Sequence, residues 1–235
     1  ELDISDGEAL FQRAQKAYHH VISYQLQFDQ WQFRIEAYRK RTNRTSPYFE
    51  NLTDPISLVP ELQVDRTRVA ADHVRAQGVE FSIDGELHGN DLWLNYTRSR
   101  VDENIGTRDV PRSWDQTHAA NVGWARKVRN WQTSFEATYH SGWPITRFDV
   151  TGSRTIEAGL RNSVKLPYYL SVDFKATRSW QWQNSKALRL EVGVSNLLNR
   201  ANQIGIEYEM LDGQLTESHS LALPIAPFVD VFLQF

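Results

Sequence analysis

Apolar and polar residues alternate along most of this sequence, and the charges fall largely on the polar phase. In 188–195, Leu188, Leu190, Val192 and Val194 share one parity, while Arg189, Glu191, Gly193 and Ser195 share the other. Extended backbone puts those sets on opposite faces of a strand. The separation recurs in 170–177, with Leu170, Val172, Phe174 and Ala176 against Ser171, Asp173, Lys175 and Thr177. It recurs in the last residues, where Val229, Val231, Leu233 and Phe235 oppose Phe228, Asp230, Phe232 and Gln234. Such a chain must cover one face of every strand with something apolar. The other face must meet water or protein.

The strands come in pairs. Residues 17–28 set Ile22, Tyr24, Leu26 and Phe28 against Ser23, Gln25 and Gln27. After Asp29-Gln30, Trp31, Phe33, Ile35 and Ala37 oppose Gln32, Arg34 and Glu36, a hairpin by pattern. A second pair spans 78–98 around His88-Gly89-Asn90, and a third turns at Val128-Arg129-Asn130 between Trp124 and Phe135. The fourth turns near Gln183-Asn184-Ser185, and its return strand is expected to continue toward Glu209. The opening residues 1–16 read as a loop. Long polar connections cover 41–75, 101–115 and 142–165, and a last loop at 212–224 precedes the closing strand. The first is too long for a routine hairpin loop, so it is functional or unstructured. The result is about nine strands with short and long joins in alternation, as a two-sided membrane environment selects.

No stretch approaches the ~18 consecutive apolar residues of a spanning helix, which excludes a helical membrane protein. Alternating strands escape that test. Their facing follows from cost. Turning the chain by one residue would place Arg189, Lys175 and Arg34 in lipid, at roughly 2–4 kcal/mol for each basic residue near the midplane. Several such penalties exceed a typical stability of ~5–15 kcal/mol. The charged face therefore points inward, and its mixture of signs gives no single-sign ion filter. A net charge of -3 leaves no footprint for nucleic acid. The absence of cysteine removes disulfides and thiolate metal sites.

Aromatic residues make up 12% of the chain, with eight Trp and nine Tyr, and their placement is informative. Phe28, Trp31, Trp131, Trp180 and Phe235 lie near the short turns or the terminus. Tyr18, Trp143, Tyr168 and Tyr208 lie toward the long loops. Rings gathered at both ends of the strands are what two interfacial girdles require. The expected fold is all-β: an antiparallel up-and-down transmembrane β-barrel segment.

Several phrases also resemble one family. Ala76-Gln77-Gly78-Val79-Glu80 opens a strand and Ser141-Gly142-Trp143-Pro144-Ile145-Thr146 follows another. Leu166-Pro167-Tyr168-Tyr169-Leu170-Ser171-Val172-Asp173 leads into a third, Val194-Ser195-Asn196-Leu197-Leu198-Asn199-Arg200 follows a short turn, and Phe235 ends the chain. In order and spacing these resemble the C-terminal part of a TonB-dependent outer-membrane receptor, over most of 1–235. The resemblance implies a 22-stranded barrel in the bacterial outer membrane, plugged by an N-terminal domain and importing scarce substrates such as ferric siderophores, haem, cobalamin or oligosaccharides. It implies Phe235 as a signal to the barrel-assembly machinery. Neither a plug-like region nor a TonB-contacting segment is read in 1–235, so TonB would act only through a missing plug and further missing strands. Counting nine strands back from Phe235 puts the first residue outside the cell and leaves two edges to be paired, since such barrels close with an even number.

No cofactor or metal site is read, and no catalytic group: the chain holds no Gly-x-x-x-x-Gly-Lys, Gly-x-Ser-x-Gly or His-Glu-x-x-His. His19 and His20 point opposite ways on a strand, Glu80 and Asp84 read as a lumen-facing pair, and His140 has no placed Ser or carboxylate. Recognition falls instead to the long loops. Tyr48, Phe49, Trp114, Trp143 and Arg147 are the candidate substrate contacts. A passive outer-membrane channel, a soluble β-sandwich binding carbohydrate and a barrel-embedded hydrolase stand as alternatives.

Overall fold

The computed structural model describes residues 14–52, 59–62, 66–150, 156–182, 187–211 and 214–234. Strand β1 (Lys16–Phe28) turns at Asp29-Gln30 into β2 (Trp31–Asn43). The connection beyond holds a small hairpin, β3 (Tyr48–Asn51) and β4 (Arg66–Val69), with a 3-10 turn at Pro60–Leu62. Next come β5 (His73–Leu87), β6 (Asn90–Ile105) and a short β7 (Arg108–Pro111) folded back on the end of β6. Then follow β8 (His118–Val128) and β9 (Trp131–His140). Four short strands occupy the next connection: β10 (Pro144–Ile145), β11 (Phe148–Val150), β12 (Ile156–Ala158) and β13 (Val164–Lys165). The chain continues with β14 (Tyr169–Gln181), β15 (Ala187–Ser195), the hairpin β16 (Gln203–Leu211) and β17 (Gln214–Leu221), and finally β18 (Ala226–Gln234).

Nine long strands form one antiparallel meander in the order β1-β2-β5-β6-β8-β9-β14-β15-β18. Tight turns join them at one end, with Asp29, His88 and Arg129 at positive φ (53°, 52° and 58°), the left-handed geometry that matches strand twist. All the long connections lie at the other end. Three expectations fall wholly or mostly outside the described residues: the opening loop at 1–16, of which only 14–16 are described, the turn at 183–185 and Phe235.

Two linked expectations are corrected: the run of one strand toward Glu209, and the last loop at 212–224, of which Gln214–Leu221 is strand. The strand that starts near Leu188 does not run on toward Glu209; it stops at Ser195. Asn196 and Asn199 take positive φ (50° and 48°), and the Asn196 amide donates to Arg200 O at 2.9 Å and Leu223 O at 3.1 Å. Asp173 Oδ1 accepts from Asn196 N at 2.7 Å and closes the corner. Residues beyond it leave the sheet and pair with β17.

The facing inferred from charge holds. Asp173, Lys175, Arg189 and Glu191 line one trough of about 790 Å³ with Gln132, Ser134 and Glu136. On the opposite face, register aligns Leu92, Trp124, Phe135, Phe174 and Val194 in one row. The rings touch along it, Trp124–Phe135 at 5.9 Å and Phe135–Phe174 at 4.9 Å. No second sheet covers these rows among the described residues, and Ile22 is 75% exposed and Val229 66%. The accessible surface is 16261 Å². A compact soluble protein of this mass would show about 11,000 Å². A β-sandwich buries its apolar rows against a partner sheet; this sheet leaves them for lipid. Among the described residues, no helix is long and apolar enough to cross a membrane.

Strand glycines face aromatic rings. Trp93 lies opposite Gly123, Phe228 opposite Gly193 and Tyr38 opposite Gly78, each as a direct register partner on the trough side. A Cβ added at Gly123 would fall inside the Trp93 indole. Gly123→Ala is therefore expected to lift that ring, break the bond from Trp93 Nε1 to Asn121 Oδ1 (2.9 Å) and cost about 1–3 kcal/mol. Denaturant titration read by tryptophan fluorescence checks it; an unchanged spectrum and midpoint would refute it.

Candidate functional site

The loop end of the sheet is held by one buried polar cluster. Strand β6 runs on beyond its neighbour β8, and Gly106 at φ 63° turns it into β7. Glu103 lies on this extension with its side chain fully buried. The β3 hairpin brings Tyr48 and Glu50, two residues apart and so on one face. The connection between β9 and β14 brings Arg161. Its Nη1 meets Glu103 Oε2 at 3.0 Å, and its Nη2 meets Glu50 Oε2 at 2.7 Å and Tyr48 Oη at 3.1 Å. The Tyr48 hydroxyl donates to the Glu103 carboxylate at 2.9 and 3.1 Å. Arg112 reaches the other Glu103 oxygen at 3.4 Å, and Ser113 Oγ donates to Glu50 Oε1 at 2.8 Å.

Burial, with the Glu103 charge adding to it, pushes the Tyr48 phenol well above its ordinary value, so it stays a neutral donor. Burial alone would weaken the Arg161 charge, but the bond to Glu50 together with the nearby Glu50, Tyr48 and Glu103 more than offsets it, and the guanidinium is held protonated. Asp115, accepting from Val101 N at 2.9 Å, is raised by desolvation. Asn162 completes the lock by donating to Pro111 O at 2.8 Å and Ser113 Oγ at 3.0 Å. Three connections thus meet on two opposed pairs of charges. Deeper in, Asn202 is 1% exposed and bonds both Leu170 O and Leu170 N, tying the corner after β15 to the start of β14.

Beside the cluster an aromatic stack descends onto the trough face. Trp114 stacks on Trp143 at 5.7 Å, Trp143 on His140 at 5.3 Å, and His140 on Tyr169 at 4.8 Å with 3° between the planes. His140 and Tyr169 are register partners on β9 and β14. Trp114 is 50% exposed at the top and is placed by a φ of 70°.

The five candidate contacts therefore separate. Trp114 and Trp143 come together in the stack. Tyr48 is turned into the buried cluster. Phe49 packs under Arg66 at 5.5 Å, and Arg147 pairs with Glu217 of β17 at 3.4 Å. Sequence reasoning missed Glu50, Glu103 and Arg161, since nothing local marks them as buried. It passed over Tyr169, although its parity put it inside. His19 meets Tyr38 edge-on at 6.4 Å, and His140 is a member of the stack. Among the described residues, no group of three or more His, Asp or Glu is arranged to hold a metal.

Comparison with known proteins adds three findings. A family model described as TonB dependent receptor-like, beta-barrel, matches residues 10–197. Among solved structures, the ferric preacinetobactin receptor BauA from Acinetobacter baumannii matches with a TM-score of 0.55 at 14% identity, over 92% of this chain and 29% of that one. The ferripyoverdine receptor of the Pseudomonas aeruginosa outer membrane matches with 0.53 at 15%, over 92% of this chain and 26% of that one. This chain thus spans under a third of either receptor. No curated protein sequence matches significantly.

Proposed function

The chain belongs to the family of TonB-dependent receptor β-barrels of the bacterial outer membrane, and from that premise we propose that it forms part of the wall and mouth of a TonB-driven importer. In this reading, strands and a plug outside this chain complete the barrel, and TonB acts through that plug. Two open edges support it. Among the described residues β1 pairs only with β2 and β18 only with β15, and unpaired backbone groups in lipid cost several kcal/mol each. Phe235 would serve as the assembly signal.

The observation that carries the mouth assignment is the stack Trp114–Trp143–His140–Tyr169, which leads from the loops to the trough. Flat rings offer wide contact at little entropic cost. The two similar receptors take ferric preacinetobactin and ferripyoverdine. We assign this site to a scarce cargo of that kind, a ferric chelate, recognised and passed inward and not chemically altered.

Uptake of labelled ferric chelates by cells carrying the gene, against cells lacking it, tests the reading. Trp143→Ala is expected to raise the half-saturating concentration about tenfold. Uptake that does not depend on the gene would remove the importer assignment. Uptake unaffected by Trp143→Ala would remove the stack from the cargo's path.

A further inference from the structure

A second cavity, of about 470 Å³, lies under the start of the β3 hairpin. It sits over β2, β5 and β6, whereas the aromatic stack stands over β9 and β14. Two register rows on the trough side form its floor: Lys40–Ala76–Val101 and Thr42–Val74–Glu103. Gln15, just before β1, donates to Ser46 Oγ at 3.0 Å and closes one side. The backbone of Arg112 donates to Val101 O at 2.9 Å, which sets Arg112 at the opposite end of the first row from Lys40. Lys40 and Val101 are two strand spacings apart, roughly 10 Å, so both long cationic side chains reach over the floor between them. Glu103 and Glu50 are already met by Arg161, and Arg112 adds only its 3.4 Å contact to Glu103 with its side chain 48% exposed. Lys40 stands between His19 and Ala76 and pairs with no carboxylate among the described residues. Three cations against two carboxylates leave one positive charge over, and it stands beside a floor of Val74, Ala76 and Val101.

We propose that this cavity binds an organic carboxylate with an apolar body, carried by the cargo as an arm that does not hold the metal. A carboxylate between Lys40 and Arg112 gains charge-assisted hydrogen bonds, and its apolar body covers the small aliphatic floor. A single excess charge matches a monoanion, whereas a phosphate dianion would stay half uncompensated. The chain itself joins this cavity to the stack. Arg112, Ser113 and Trp114 are consecutive: the first lines the cavity, the second bonds Glu50 in the buried cluster, and the third tops the stack. One chelate can therefore lay its flat metal-bearing end on the rings and its free carboxylate in the cavity. The assignment to cargo rests on the importer reading; the carboxylate site itself does not.

The test uses the protein extracted from outer membranes in mild detergent with all its strands. Benzoate and its neutral isostere benzamide are titrated separately and read by saturation-transfer NMR. Benzoate is expected to bind at least about tenfold more tightly than benzamide. Lys40→Gln, which touches no member of the buried cluster, should weaken benzoate about tenfold, leave benzamide unchanged and keep the thermal midpoint. Equal binding of the two probes, or full benzoate affinity in Lys40→Gln, would overturn the site. In cells, the ferric complex of dihydroxybenzoyl-glycine, whose glycine carboxylates stay free of the metal, is compared with that of its methyl ester. Lys40→Gln should raise the half-saturating concentration of the acid and not of the ester; an ester taken up as well as the acid by the parent protein would overturn the assignment to cargo. Benzoate binding that responds to Lys40→Gln, with chelate uptake independent of the gene, would remove the importer reading and the arm of the cargo while the carboxylate site stands. Gene-dependent uptake without benzoate binding would do the reverse.

Discussion

Replacing Arg161 by methionine is expected to open the loop layer while leaving the sheet folded. Glu103 has no exposed side-chain surface and Glu50 little, so removing their shared cation leaves Glu103 out of water with only the longer 3.4 Å contact to Arg112, and takes from Glu50 its 2.7 Å partner. Breaking a buried pair in this way typically costs about 3–5 kcal/mol. The cost falls on the connections, because the strand pairing from β6 through β8 to β9 does not involve Arg161. Limited proteolysis should cut between β9 and β14 far faster in Arg161→Met, with the barrel still resistant. Adding Glu103→Gln to that variant should recover part of the loss, because one stranded charge disappears. Because Trp143 belongs to the same connection, chelate uptake should also fall. Cleavage no faster than in the parent protein would mean that the cluster does not hold the loops.

A charge on the outward face gives the second large effect. Val122 lies in the middle of β8 and is 47% exposed on the apolar side. Ser134, on the neighbouring β9, lines the trough. Val122→Arg is expected to cost about 2–4 kcal/mol in lipid, whereas Ser134→Arg should stay within about 0.5 kcal/mol. Urea titration of protein folded in vesicles measures both. Equal costs would show that the two faces are not segregated between lipid and lumen.

Much of the sheet was legible because strand parity is a local property that charge makes costly to violate. Arg189 and Glu191 fix their own facing, and no distant residue is needed to read it. The end of β15 was not legible for the opposite reason. Ile204, Ile206 and Tyr208 alternate as a continuing strand would, and alternation says nothing about which strand is the partner. The site was legible only in its aromatics. Trp114 and Trp143 stand out in any loop, but nothing in either sequence neighbourhood says that they touch. The cluster beneath them joins Tyr48 to Arg161 across 113 positions, and only the meander brings those connections to one end. Exposed and fully buried carboxylates look alike in sequence, so Glu103 gave no sign.

The rings laid over glycines on the trough side have one more consequence. Trp93, Phe228 and Tyr38 would each project into the lumen if a larger neighbour propped them up. Resting on Gly123, Gly193 and Gly78, they lie flush with the wall. In the proposed barrel such rings would line the lumen with large, stiff groups without narrowing it.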